Sequence, residues 1–164
     1  MKRKVELRAE FTEYESALEV SESDHRLIEL ARKSTQSAYA PYSNFHVGAA
    51  LLLEDGTLII GNNQENASYS LGVCAERVAL FTAGANYPDK RIIAMAITAQ
   101  SNSFVINRPI APCGACRQVI AEYEHRQKSP IRLLLTGTSG TVLAADSIEG
   151  LLPMQFTADD LEAN

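Results

Sequence analysis

The sequence contains no tryptophan, and only three histidines, three methionines and three cysteines in 164 residues. So few thiols, odd in number, cannot build the disulfide framework that staples small exported domains, which leaves the cysteines for metal binding or thiol chemistry. No run of about 18 apolar residues occurs, so no transmembrane helix and no membrane partner are expected. The start, MKRKVELRAEFTEYESALEV, has basic residues but neither the apolar run nor the small-residue cleavage site of a secretory signal, and a cytoplasmic location is expected. Positive charge is also short. Fifteen Lys and Arg against twenty Asp and Glu give a net charge of −5. A nucleic-acid polymer, held largely through its phosphates, needs a broad basic surface and is not an expected partner. A small neutral ligand is not excluded.

What is present reads as one domain with enough chain for a real core: 46% of residues are apolar and 21% charged. Residues 1–24 form an N-terminal extension, helical in composition but poor in apolar anchors, so a solvated helix or a loosely attached arm is expected. The domain proper would then span 25–164. SDHRLIELARKSTQSAYAPYS reads as a helix capped by Ser23 or Asp24 and stopped by Pro41. FHVGAALLLEDGTLIIG reads as a hairpin turning at Asp55-Gly56, its first strand apolar enough to be buried on both faces. CAERVALFTAGAN is a helix that frays at Gly84, RIIAMAITA a buried strand and CGACRQVIAEYEHR a third helix. IRLLLTG and TVLAADSI are strands, and a short helix capped by Thr157 ends the chain. Helices alternating with strands predict an α/β layered fold with a mixed five-stranded sheet flanked by helices.

All three cysteines fall at the starts of predicted helices: Cys74 opens one, Cys113 and Cys116 the next. Unpaired N–H groups and the positive end of the helix dipole favour thiolates there. The C-x-x-C spacing suits zinc, Cys74 supplies a third ligand, and none of the three histidines lies at ligand spacing. Three protein ligands leave a fourth position open, the pattern of catalytic zinc. Glu76, two residues past a ligand, can then face the open position and carry protons. Three thiolates around Zn²⁺ leave one excess negative charge, which Arg77 or Arg117 could offset; Arg77 is favoured. Taken singly, Cys74 reads as a small buried hydrophobe and Glu76 as a first-turn acid. A thioredoxin-like reading of PCGAC leaves Cys74 and Glu76 without a purpose.

With these elements in view, the sequence resembles the cytidine deaminase family in its small homotetrameric form. CAERVAL at 74–80, PCGACRQV at 112–119, YAPYSNFHVGAAL at 39–51 and the GNNQENASYS segment from residue 61 carry the likeness, which covers about residues 25–160. The resemblance implies a three-layer cytidine-deaminase-like fold, one zinc per subunit on Cys74, Cys113 and Cys116, and Glu76 as proton shuttle. It implies hydrolytic deamination of cytidine and deoxycytidine at C4 by zinc-bound hydroxide, for pyrimidine salvage. Asn63 and Glu65 would hold the ribose hydroxyls, Phe45 would line the nucleoside pocket, and the Ala75 backbone would orient the base. Phe156 would reach a neighbouring subunit's site, so a homotetramer with shared active sites is implied. A blasticidin-S-type aminonucleoside deaminase shares the three-cysteine site. A polynucleotide-editing deaminase commonly carries histidine where Cys74 stands, and a purely structural zinc module would have no use for Glu76.

Overall fold

Residues 2–161 are described by a computed structural model. In chain order they form β1 (Thr12–Tyr14), α1 (Glu22–Ser34), β2 (Phe45–Leu53), β3 (Leu58–Asn62), α2 (Ala75–Asn86), β4 (Ile92–Ser101), α3 (Gly114–Gln127), β5 (Arg132–Leu135) and β6 (Val142–Ala145). The sheet runs β1-β6-β5-β4-β2-β3. The β4–β5 pair is parallel, joined by the α3 crossover, and every other pair is antiparallel.

Alternation along the strands decides which helix covers which face. Ala49, Leu51 and Leu53 of β2, with Met95 and Ile97 of β4, pack with Ala79 and Leu80 of α2 and Ile120 of α3. The residues between them, Ala50, Ala94 and Ala96, face Leu27, Ile28 and Ala31 of α1. The result is three layers, α1 on one face and α2 with α3 on the other. Small residues on the α1 side let that helix sit close. At Gly48 a Cβ would lie 2.1 Å from the Ala31 carbonyl oxygen.

The sheet has six strands where five were expected. The extra one, β1, comes from the segment expected to be helix or arm: Thr12, Glu13 and Tyr14 pair with Ala144, Leu143 and Val142 of β6. Beyond it, Ala17 and Val20 are buried against α1 and the sheet. Arg132 secures this edge, 3.1 Å from the Asp24 carboxylate and 3.4 Å from the Tyr14 hydroxyl.

Helix ends also differ. The cap of α1 is Ser21, whose hydroxyl accepts from the Asp24 N–H at 3.1 Å. The α-helix stops at Ser34, well before Pro41, and passes into a 3-10 turn over Thr35–Ser37, with the Ser34 and Thr35 hydroxyls donating back to the Ala31 and Arg32 carbonyls. Gly84 lies inside α2 and does not fray it. A Cβ there would meet the Tyr123 hydroxyl at 2.4 Å, and that hydroxyl donates to the Leu80 carbonyl at 2.7 Å, fastening α3 to α2. The final turn, Ala158–Leu161, is a 3-10 turn rather than an α-helix.

Candidate active site

The two fastened helices bring their N-termini together. Cys74 is the N-cap of α2 and Cys113 the N-cap of α3, both with extended backbone and neither side chain used in capping. Cys116 lies one turn into α3 and is buried. Gly61 of β3 allows this placement, since a Cβ there would lie 2.3 Å from the Ala75 carbonyl oxygen and 2.6 Å from the Ala79 nitrogen. The first turn of α2 rests directly on the β3 backbone.

The three sulfurs lie within 4.8 Å of one another, the one such His, Cys, Asp or Glu cluster of three among the described residues. Cys74 and Cys113 are 3.8 Å apart, far beyond a disulfide bond length of about 2.05 Å, and all three thiols are free. Three soft donors at two helix N-termini fit zinc. His25 is occupied elsewhere, its Nδ1 2.7 Å from the Ala17 carbonyl oxygen.

Hydrogen bonding from Cys116, then from Arg77 and Cys113, holds the Cys74 thiol down to about 5 against the opposing effect of burial. Its hydrogen bond to Cys74 and its own burial push the Cys116 thiol up. Negative charge in the cluster is therefore favoured at Cys74 and disfavoured at Cys116. Glu76, second in α2, is 4% exposed. Burial raises its pKa and the Cys74 charge adds to this, while a hydrogen bond with Cys116 opposes it. A buried carboxyl that holds its proton more tightly than usual thus sits beside the sulfurs.

Hydrogen bonds separate the two arginines. An Nη of Arg77 is 3.8 Å from the Cys74 sulfur and 3.5 Å from the Gly72 carbonyl oxygen. Arg117 instead donates to the Pro112 carbonyl at 2.9 Å and the Leu151 carbonyl at 2.8 Å. It ties the turn before Cys113 to the C-terminal segment, a function the sequence reading missed.

The remaining expected residues lie at the start of α2, at the start of β2, in the loop after β3 and in the C-terminal segment. Ala75, buried, is the first residue of α2, where backbone N–H groups have no partner within the helix. Phe45 is half-buried at the start of β2. Asn63 sits beside it and bridges backbone: its amide donates to the Phe45 carbonyl at 2.9 Å and accepts from the Val47 N–H at 2.7 Å. This lock was not foreseen, and the amide keeps one N–H and one lone pair for a ligand. Glu65 accepts from the Tyr42 N–H at 2.9 Å, the Ser43 N–H at 3.3 Å and the Ser43 hydroxyl. Those bonds, the Ser43 hydroxyl first, hold its carboxyl below the usual range. Phe156 is 58% exposed on the single chain, and its carbonyl accepts from Gln118 at 2.6 Å.

Residues 21–129 match the cytidine and deoxycytidylate deaminase zinc-binding region. The chain belongs to this deaminase family. It is 44% identical over 137 residues to a cytidine deaminase of Halalkalibacterium halodurans, covering 82% of this chain and 95% of that one. The crystal structure of a cytidine deaminase from Burkholderia pseudomallei is similar at 46% identity and a TM-score of 0.69, covering 80% of this chain and 98% of that one. A blasticidin-S deaminase of Bacillus cereus is 29% identical over 140 residues, covering 84% and 95%. The chain is thus a zinc-dependent deaminase, and Cys74, Cys113 and Cys116 are the group that would hold the zinc. No helix among the described residues is long and apolar enough to cross a membrane.

Proposed function

We propose that the chain deaminates cytidine and deoxycytidine to uridine and deoxyuridine, consuming water and releasing ammonia, in pyrimidine salvage. The observation that carries this reading is the buried Glu76 carboxyl beside three thiols clustered at two helix N-termini. Zinc, when bound, supplies the Lewis acidity that makes a water nucleophilic at neutral pH. Glu76 accepts the proton of the attacking water, delivers it to N3 of the pyrimidine, and passes a second proton to the departing amino group. A carboxyl with a raised pKa suits both halves of that task. Arg77 offsets the excess charge at Cys74. Asn63 and Glu65 hold sugar hydroxyls, Phe45 walls the base, and the Ala75 backbone orients it.

Residues 25–164 carry the chemistry, and residues 1–24 are an extension whose strand completes one sheet edge. The active form is a homotetramer in which the exposed Phe156 ring completes a neighbouring subunit's site. Three thiols kept free for a metal fit a reducing cytoplasm. Product analysis of cytidine, deoxycytidine and blasticidin S incubated with the purified protein tests the substrate. Uridine and deoxyuridine should form, and faster turnover of blasticidin S would assign the chain to the other deaminase type. Four times the 17.9 kDa chain mass in solution, and weaker cytidine binding in Phe156→Ala, test the shared site.

A further inference from the structure

Glu65 is held by its own chain before any ligand arrives. Its Oε2 accepts two backbone N–H groups, from Tyr42 at 2.9 Å and Ser43 at 3.3 Å. Its Oε1 accepts the Ser43 hydroxyl. The same hydroxyl oxygen accepts the Phe45 N–H at 3.0 Å. Asn44, between them, takes a φ of 54°, the left-handed region that asparagine tolerates, and this folds the loop so that one hydroxyl serves both neighbours. Each carboxylate oxygen accepts about two hydrogen bonds. Oε2 is therefore full, and the one free acceptor position on Oε1 points where Ser43 leaves it. Ser43 is exposed in its loop and fills no core space.

We propose that Ser43 is a positioning residue for sugar recognition. Its hydroxyl sets the orientation of the Glu65 carboxylate, so it governs affinity for the sugar without reaching the reacting atoms. This role depends on the cytidine deaminase reading above and on Glu65 as a reader of the sugar. A loop tie with no such role would leave affinity for sugar-bearing and sugar-free substrates equally affected.

The test is steady-state kinetics of the zinc-loaded wild type, Ser43→Ala, Ser43→Thr, Glu65→Gln and the Ser43→Ala/Glu65→Gln double variant, with cytidine and the sugar-free 1-methylcytosine. Losing a hydrogen bond to a charged group should raise KM for cytidine about tenfold in Ser43→Ala, with kcat held. Ser43→Thr keeps a hydroxyl and should restore KM. KM for 1-methylcytosine should be unmoved, and the double variant should be no worse than Glu65→Gln alone. An active wild type with an unchanged Ser43→Ala, a loss in kcat rather than KM, or full additivity with Glu65→Gln would overturn the role of Ser43 and leave the deaminase reading standing. A wild type inactive on cytidine would overturn both.

Discussion

The sulfurs of Cys74 and Cys113 lie 3.8 Å apart across 39 residues of sequence. Neither side chain caps its own helix, and each points into the shared centre with Cys116. Helix N-termini that meet in this way favour negative charge, but close thiolates repel one another. The centre is therefore most stable with a divalent cation in it.

Metal removal should expose that conflict at one residue. With zinc stripped, Cys74 titrates at about 5 while Cys116 is pushed up. A thiol whose pKa is lowered on folding favours the fold fully above its unfolded value, and loses that contribution as pH falls through the folded value. The reactive thiolate follows the same sign. Alkylation of Cys74 in the stripped protein should stay level from about pH 8 to about pH 6 and drop near pH 5, whereas an ordinary thiol falls about tenfold per unit below about 8.5. Site-resolved mass spectrometry after brief iodoacetamide treatment reads this. Added zinc should protect the residue.

Arg77 and Arg117 should behave differently when replaced by glutamine. Arg77→Gln removes the cation beside Cys74 and should lower turnover and zinc retention against a chelator by about 10–100-fold. Arg117→Gln removes donors to the Pro112 and Leu151 carbonyls and should cost about 1–3 kcal/mol of stability, with turnover per bound zinc largely kept. Equal effects on zinc retention would contradict the assignment of charge offset to Arg77.

Gly61 should tolerate no side chain. Gly61→Ala drives a Cβ into the Ala75 carbonyl and the Ala79 nitrogen, backbone atoms that cannot swing away. A loss of about 1–3 kcal/mol is expected, with weaker zinc retention because the start of α2 is lifted off β3. Gly114→Ala is the control. Its Cβ would meet nothing within 4 Å, and alanine is the better helix former. Thermal melts of both variants decide the matter.

The metal centre was legible because its signal is chemical: three scarce thiols, two of them at zinc spacing, all at helix starts. The β2–β3 hairpin was legible for a similar reason, with apolar strands flanking Asp55-Gly56 and a φ of 85° at Gly56. The strand β1 was not. Its three residues lie in a charged segment, and what makes them a strand is the free backbone edge of β6, contributed from the other end of the chain. Gly84 misled for a related reason, since its small size serves a contact with Tyr123 on another helix. Asn63 and Arg117 look like ordinary polar residues until their backbone partners, 18 and 34 residues away, are in place.

Glu76 carries the central claim, and the most direct measurement is the loss of the cytidine absorbance band with zinc-loaded wild type and Glu76→Ala side by side, zinc content measured in both. The wild type should consume cytidine. Glu76→Ala should retain its zinc and lose turnover by roughly 10²–10⁴-fold. Wild-type turnover preserved in Glu76→Ala, or a fully zinc-loaded wild type that leaves cytidine untouched, would contradict the account.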